Sequence, residues 1–404
     1  MVIRCLIGMV SSAALAVPAL ASGLPQQSPS DHSAQRHYVP PMAGQVPNSA
    51  EADARLAIFA PTTDPIRHQI DYEIWDWALK NITVSMGPSS RQIARRPDPI
   101  LGTRVKQGPQ SRYRLEGSMV LFRFLTPDVI ASFGEYRRDL EQVTETLDIA
   151  SLPRNEQLAF WLNLHNVAML EQLSQAWPLR EPREIKVGGV PLDEARFITV
   201  RGVVVSLRDI REQIVFRHWK DPKVMYGFWR GEIGGPELQR HAFTGGNVSS
   251  LLDLAAADFV NSLRGTQQRG DALEVASLYA EVAPFYFADF ERDVRAHLAR
   301  FAEEPVAGIL EKTTVTRATI AEPAIADLHG GARPANFLNV SSTPGATDDP
   351  LVGWSDKLGQ AAYELLQARQ TKLETMERRG QPTGRVFFSN IDLPTDPPNK
   401  NAVE

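Results

Sequence analysis

The sequence has almost no cysteine: Cys5 is the only one among 404 residues. It lies in the stretch MVIRCLIGMVSSAALAVPALASG, which combines one basic residue, an apolar run from Cys5 to Val17 and the small residues Ala19 and Ala21. This is the three-part layout of a secretory signal peptide, and its apolar run is shorter than the roughly 20 residues that span a bilayer. We therefore predict a signal peptide over residues 1–21, cleaved after Ala21, and export of a bacterial protein to the periplasm or the extracellular space.

Cleavage at this place would remove the only thiol. The exported chain could then form no disulfide and could not use a cysteine nucleophile. Loss of Arg4 with the leader changes the formal net charge from −5 to −6. A mildly acidic chain without basic runs does not suit nucleic acid, and no later segment is apolar over a span length. We expect no nucleic-acid partner and no membrane span after signal cleavage.

The remaining chain divides by composition into four parts. Residues 22–52 are rich in Pro, Ser, Gln and Ala and have no apolar period, which predicts a disordered lead-in. Residues 53–304 are periodic throughout and predict the main domain. Residues 305–392 predict an extension of strands and a helix, and residues 393–404 predict a flexible tail.

Apolar spacing predicts helices over residues 71–82, 132–147, 155–170, 207–216, 247–263 and 281–301. Ser206 and Asp209 form a capping box at one helix start, and Asn247 can cap another. β-Branched runs on both sides of Arg201-Gly202 predict a hairpin, and residues 223–229, 313–320 and 384–391 are strand candidates. A last helix is predicted between Asp349-Pro350 and Gly380. Together these elements predict an α+β fold: a helix-rich single domain with a small antiparallel sheet and a C-terminal helical extension.

Recognisable catalytic and metal-binding motifs are missing. The sequence has no His-Glu-x-x-His pair, no Walker loop, no Gly-x-Ser-x-Gly and no Gly-x-Gly-x-x-Gly after a strand, and its eight histidines are scattered without metal-ligand spacing. These absences exclude the commonest hydrolases, NTPases and dehydrogenases. We predict neither a metal nor a cofactor.

Three blocks of sequence carry a family resemblance. NEQLAFWLNLHNVAML (155–170), ITVRGVVVSLRDI (198–210) and DPKVMYGFWRGEIGGPEL (221–238) resemble, in order and spacing, the blocks of the DUF547 family, a widespread domain of unknown function. The upstream DYEIWDWALK (71–80) is similar to the segment before the domain in bacterial members. The resemblance extends over about residues 60–300.

The departures from the family pattern concern reactive residues. The family helix usually reads Phe-Trp-x-Asn-x-Tyr-Asn, and His165 stands here in place of the tyrosine. Glu-His usually follows Asp-Ile after the hairpin, where this chain has Arg211-Glu212. The third block usually has Asn-Cys and Ser-Cys-Pro, where this chain has Trp229-Arg230 and Gly234-Gly235-Pro236. If family members act through a cysteine and a histidine, as the pattern suggests, this chain lacks both.

Polar residues in the first block are the main site candidates. At 100° per residue, Glu156, Asn163 and Asn166 form one polar stripe on an otherwise apolar helix. Their side chains could bind neighbouring backbone inside the core, or they could line a cleft. His165 points away from the stripe, towards Trp161, and we predict a packing role for it.

The third block and its surroundings add further candidates. Trp229 and Arg230 could present a guanidinium beside an aromatic face, suited to a carboxylate or a sugar; the alternative is an exposed arginine over a rim tryptophan. His241 could enter a site by folding, or it could be solvated on a loop. The weak catalytic candidates are thus Glu156, Asn163 and His241, and the ligand-binding candidates are Asn163, Asn166, Trp229 and Arg230.

These observations lead to three functional hypotheses. The first is an exported, non-catalytic or catalytically altered DUF547 member that binds an unknown protein or envelope ligand. The alternative is a hydrolase-like enzyme that uses Glu156, Asn163, Asn166 and His241 in place of a cysteine. A structural scaffold without a ligand is the third. The lack of any nucleophile with an activating partner favours the binding module.

Overall fold

Helices and short strands alternate along the computed structural model, which describes residues 54–62, 68–96, 110–332, 359–389 and 402–404. The helices are α1 (Glu73–Ile82), α2 (Pro127–Thr146), α3 (Arg154–Ala176), α4 (Val248–Val260), α5 (Ser277–Tyr286), α6 (Phe290–Phe301), α7 (Glu304–Lys312) and α8 (Gln360–Arg378). The strands are β1 (Thr83–Ser85), β2 (Ser118–Val120), β3 (Lys186–Val187), β4 (Val190–Pro191), β5 (Arg196–Val200), β6 (Val203–Ser206), β7 (Thr266–Arg269), β8 (Ala272–Ala276) and β9 (Val315–Ile320).

All the described residues belong to one compact unit. The predicted signal peptide, the predicted lead-in and Asp349-Pro350 lie outside the described residues. None of the helices within the described ranges combines the length and the apolar character that crossing a membrane requires.

The sheets are small, and about half of the chain is helical, which confirms the α+β prediction. Three antiparallel pairs, β1-β2, β3-β4 and β5-β6, stand beside the three-stranded sheet β7-β8-β9. The predicted hairpin β5-β6 turns at Arg201 and Gly202, both with positive φ, as a tight hairpin turn requires. Strand β9 is parallel to β8, and α5 to α7 supply the crossover that a parallel pair needs.

Helix α3 lies in the centre of the core. It is buried along most of its length, including Phe160 and Trp161 at 0 % exposure, and it packs against α2 and α4. A helix that is apolar on all sides has no face to offer to water. Polar side chains in its middle must therefore find their partners inside the protein.

Two of the predicted elements have a different conformation. Residues 223–229 were predicted as a strand, but Pro222–Gly227 form a 3₁₀ helix whose start is capped by the carboxylate of Asp221; a short buried apolar run does not distinguish the two. The capping box is confirmed, since Ser206 and Asp209 exchange backbone-to-side-chain hydrogen bonds of 3.1 and 3.0 Å. It opens a π-helix, Asp209–Val215, rather than a regular α-helix.

Other predicted boundaries also change. The helix predicted over 281–301 is two helices, α5 and α6, because Asp289 caps a new start. Asn247 occupies the N-cap of α4 but accepts from Thr244 N instead of the helix. Residues 384–389 form no strand, and residues 390 and 391 of that prediction lie outside the described part. At the predicted flexible tail, Val403 is buried and donates from its N to Asn155 Oδ1 at 2.8 Å.

Candidate functional site

The two amides of α3 each bind a loop through its backbone. Asn163 Nδ2 donates to Phe243 O at 2.7 Å, and Phe243 N donates back to Asn163 Oδ1 at 3.1 Å. Asn166 Nδ2 donates to Gly227 O at 2.9 Å, and its Oδ1 accepts from Trp229 N at 3.0 Å. Both side chains are buried. These contacts favour the backbone-binding alternative for the stripe.

Glu156 lies on an open cleft beside the start of α3. We call this the Glu156 cleft; it has a volume of about 640 Å³ and is also lined by Tyr72, Asp76, Thr244 and Asn247. Glu156 Oε1 accepts from Gly245 N at 3.1 Å. Burial, and then the charge of Glu156, raises the pKa of Tyr72.

His241 lies beside this cleft and is oriented by a carboxylate. Its Nδ1 is 3.2 Å from Asp76 Oδ1, and its ring contacts the edge of Phe387. Partial burial acts to raise the pKa of Asp76, but hydrogen bonds from Lys80 and Ala242 N hold it below its ordinary value. The carboxylate is therefore ionised where it meets the imidazole.

Arg230 lies on a second cleft, which we call the Arg230 cleft. Met169, which lines this cleft, lies about 20 Å along the axis of α3 from Glu156, which lines the other. Its volume is about 220 Å³. Four apolar residues line it, Met169, Pro182, Pro191 and Leu192, which we call its apolar floor, together with the charged residues Arg183, Asp193, Glu194, Arg208, Arg230 and Glu232. The predicted candidates therefore fall into two groups: Glu156 and His241 lie near one cleft, and Arg230 lies at the other.

Trp229 and Arg230 do not form the predicted pair. Trp229 has 0 % exposure in the core, because Asn166 holds its backbone against α3, so it offers no aromatic face at a rim. The side chain of Arg230 is 26 % exposed and forms an ion pair with Glu281. That carboxylate raises the pKa of Arg230 further.

His165 joins the amide stripe, contrary to the prediction that it points away. Its Nδ1 is 3.1 Å from Asn166 Oδ1, and its Nε2 is 3.1 Å from Arg211 Nη1. Because the guanidinium can only donate, Nε2 must accept and Nδ1 must carry the proton. Burial, and then the charge of Arg211, lowers the pKa of His165 to about 3. The predicted packing role is also present, since the ring meets Phe228 edge to face.

Arg211 connects this histidine to the Arg230 cleft. Its two terminal nitrogens donate to Asp193 Oδ1 and Oδ2 at 2.7 and 2.8 Å. Burial acts to raise the pKa of Asp193, but Arg211 and then Arg230 hold it far below its ordinary value. Burial raises the pKa of Glu232 to about 7, against the opposing charge of Arg230. One cleft thus contains an ionised carboxylate and one that titrates near neutral pH.

Asp193, Arg208 and Glu232 were missed in the sequence. Asp193 and Arg208 lie in ordinary-looking turn and helix-start segments, and Glu232 lies in the glycine-rich stretch after Arg230. The nearest signal was the substitution at the family's Glu-His and Asn-Cys positions. Across the described ranges, His, Cys, Asp and Glu side chains form no group that could hold a metal ion.

A comparison with protein families matches the segment that contains α3 and the Arg230 cleft. Residues 149–260 match the family model described as "Protein of unknown function, DUF547". This stretch of the chain is therefore similar to the DUF547 family. The match covers somewhat more than a quarter of the chain. It spans α3, the strand pairs β3-β4 and β5-β6, the π-helix and α4. Searches of curated proteins and of solved structures find no match.

The residues that match the family model include every residue that lines the Arg230 cleft. By the motif resemblance, Glu212 and Arg230 occupy positions where members usually have His and Cys. Burial raises the pKa of Glu212, against the opposing charges of Arg211, then Arg208, and to a smaller extent Arg230. Glu281, the partner of Arg230, comes from α5 outside the matched residues. The two positions where members usually have His and Cys are therefore occupied here by charged residues.

Proposed function

We propose that this DUF547-like domain is a non-catalytic ligand-binding module of the bacterial cell envelope, and that the Arg230 cleft holds its ligand. The observation that carries the proposal is the position of Arg230 at this cleft, in the place where family members usually have a cysteine. Glu212, in the place of the usual histidine, lies within reach of the charge of Arg230. Arginine is permanently protonated and offers only donors, so it replaces a nucleophile with a fixed binding group.

The charged groups around the cleft are held in place before any ligand arrives. Asp193 fixes Arg211 by two hydrogen bonds, and Glu281 fixes Arg230. Groups with such fixed geometry lose little conformational freedom on binding, which favours recognition. The volume of about 220 Å³ is below the 300–1,000 Å³ typical of drug-sized ligands. The cleft thus suits a small polar molecule or one end of a larger one.

Thermal shift measurements test this proposal. The purified protein without its leader would be screened against amino acids, dipeptides, monosaccharides, amino sugars and small dicarboxylates at 10 mM. We expect at least one compound to raise Tm, and we expect Arg230→Met to lose that shift. Arg292→Met is the matched control, because Arg292 is exposed on α6 and away from the cleft. A shift retained in Arg230→Met, or no shift with any compound, would contradict the proposal.

A hydrolase-like enzyme at the Glu156 cleft is the second candidate, and one observation favours it. Asp76 orients His241 through Nδ1, which leaves Nε2 as the ring nitrogen available to a substrate. Hydrolysis of a panel of p-nitrophenyl esters and aminoacyl p-nitroanilides tests this candidate. It requires activity that His241→Gln and Asp76→Asn abolish and Arg230→Met preserves. An inactive parent protein would leave the binding module as the proposal.

A further inference from the structure

We propose that the ligand of the Arg230 cleft carries an ammonium group on a short aliphatic stem, and that Glu232 is the carboxylate that receives it. This inference rests on the proposed function and specifies its ligand class. Three features of the cleft lead to it: the pairing of its arginines, the isolation of Glu232 and the apolar floor.

Every arginine that lines the cleft already has a carboxylate partner. Arg208 Nε is 3.2 Å from Asp193 Oδ2, and its Nη1 is 3.1 Å from Glu194 Oε1. Arg230 is paired with Glu281, and Arg183 with Glu181. An anionic ligand would meet neutralised cations here and would have to compete with these carboxylates. The cleft is therefore not built to bind an anion.

Glu232 is the acidic group without such a partner. Within the part of the chain that the structure describes, its carboxylate takes part in no ion pair and no side-chain hydrogen bond. The side chain is half-buried and lines the cleft. The charges of Arg230 and Arg183 act on Glu232 without a direct ion pair, and they do not offset the loss of water, so its charged form is destabilised. A ligand cation would supply the missing partner.

The backbone holds Glu232 in this place. Glu232 forms an antiparallel bridge with Ile325, and Ile233 N donates to Ala324 O at 2.8 Å. Gly231 has a φ of +78°, and a Cβ there would approach Leu173 Cδ1 to 2.4 Å. Only glycine permits this turn against α3. The turn brings Arg230 and Glu232 to the same cleft.

The floor of the cleft accounts for the stem. Met169, Pro182, Pro191 and Leu192 line the cleft together with its charged residues. A chain of methylene groups would cover these four side chains while its terminal ammonium reaches Glu232, as lysine stems do on protein surfaces. The pKa of Glu232, about 7, means that a cation binding near neutral pH displaces a proton.

Three probes of similar size separate the possibilities: Nα-acetyl-lysine amide, Nα-acetyl-norleucine amide and Nα-acetyl-glutamate amide. Calorimetric titration of the parent at pH 8 should show the lysine probe binding at least tenfold more tightly than the other two. Glu232→Gln should weaken the lysine probe at least tenfold. Glu194→Gln is the matched control, because Glu194 lines the same cleft but is paired with Arg208, and its effect should stay within twofold.

The pH dependence is a second measurement on the same proteins. The parent's affinity for the lysine probe should fall as pH decreases from 7 to 6, by up to tenfold, because protonation of Glu232 competes with the cation. In Glu232→Gln the affinity should not change over this interval. Circular dichroism melting would verify that the variant is folded.

The outcomes separate this inference from the proposed function. If the norleucine or glutamate probe binds as tightly as the lysine probe, or Glu232→Gln binds the lysine probe like the parent, the inference is overturned. If in that case Arg230→Met still abolishes binding, the proposed function remains supported. If no probe and no compound of the wider screen binds, both are overturned.

Discussion

The guanidinium of Arg211 lies between the imidazole of His165 and the carboxylate of Asp193, 3.1 Å from Nε2 and 2.7 Å from Oδ1. It connects α3, the π-helix and the loop after β4. Through Asn166 the same chain of contacts continues to Trp229 N. This hydrogen-bonded chain fixes one wall of the Arg230 cleft to the core.

The first prediction concerns the carboxylate of this chain. Asp193→Asn should destabilise the protein, because it leaves the guanidinium of Arg211, only 7 % exposed, without its counter-charge. Breaking a fully buried pair costs about 3–5 kcal/mol; Asp193 is partly exposed, so we expect about 2–3 kcal/mol by urea unfolding at pH 7.

Glu194→Gln serves as the control for this measurement. Its ion pair with Arg208 is about half-exposed on both sides and should contribute less than about 1 kcal/mol. Because the pKa of Asp193 is lowered in the folded protein, its contribution exists above the unfolded pKa and is lost as pH falls below it. Equal stability of Asp193→Asn and the parent would contradict the structural role of the pair.

The second prediction concerns the protonation of His165. The folded pKa of about 3 is below the unfolded value of about 6.5. Between these values the unfolded chain binds a proton that the folded protein does not, so stability falls as pH decreases through this window. The contribution is at most about 1.4 kcal/mol per pH unit. His165→Gln, which can donate to Asn166 and accept from Arg211, should remove it.

Urea unfolding of parent and variant at pH 7, 6, 5 and 4.5 gives the two slopes. Other groups titrate in both proteins alike, including His297, whose pKa burial lowers to about 4, so the difference in slope isolates His165. His68→Gln is the control for replacing a histidine at the surface, because His68 is exposed. Parallel slopes for the parent and His165→Gln would show that the ring is not held neutral.

The third prediction concerns export and the single thiol. Protein recovered from the bacterial envelope should begin at Ser22, as read by mass spectrometry of its N-terminal peptide. It should not react with Ellman's reagent after denaturation, because Cys5 is the only cysteine. The same chain made with its leader retained is the control and should titrate one thiol. A reactive thiol or a peptide containing Met1 in the envelope fraction would disprove cleavage after Ala21.

The sequence predicted α3 well because its pattern is long and almost uninterrupted. A helix apolar on every side can only be buried, and α3 is buried together with Asn163 and Asn166. Angular spacing gives the direction of a side chain but not the partner that arrives there. Phe243 and Trp229, which bind the two amides, lie about 80 and 60 residues away in the sequence. A pattern within one helix cannot predict contacts at such a separation.

The Arg230 cleft was harder to predict from the sequence, because its residues and their partners also come from distant segments. Arg211 reaches His165 from a π-helix, whose wider turn does not follow the 3.6-residue period used to place side chains. Asp193 and Glu281 come from a loop and from α5, and neither lies in a motif. The substituted family position and the Trp-Arg pair before the glycine-rich loop both pointed to Arg230, but neither gave any indication of Glu232. The strand predicted over residues 223–229 was wrong, because a short buried apolar run does not distinguish a strand from a 3₁₀ helix.

The last prediction returns to the amides of α3. Each alanine replacement leaves a buried backbone N–H and a buried carbonyl without partners, so Asn163→Ala and Asn166→Ala should each destabilise the protein by about 1–3 kcal/mol. Asn166→Ala should cost more, because Asn166 Oδ1 also accepts from His165, whose proton would lose its acceptor.

Asn81→Ala is the control: its amide also donates to a backbone oxygen, Trp77 O at 2.7 Å, but on the exposed side of α1, where water can replace the bond. Thermal and urea unfolding at pH 7 give the three values. If Asn163→Ala is as stable as the parent while Asn81→Ala also changes stability little, the two hydrogen bonds between Asn163 and Phe243 do not stabilise the fold. The polar stripe is then better explained as part of the wall of the Glu156 cleft.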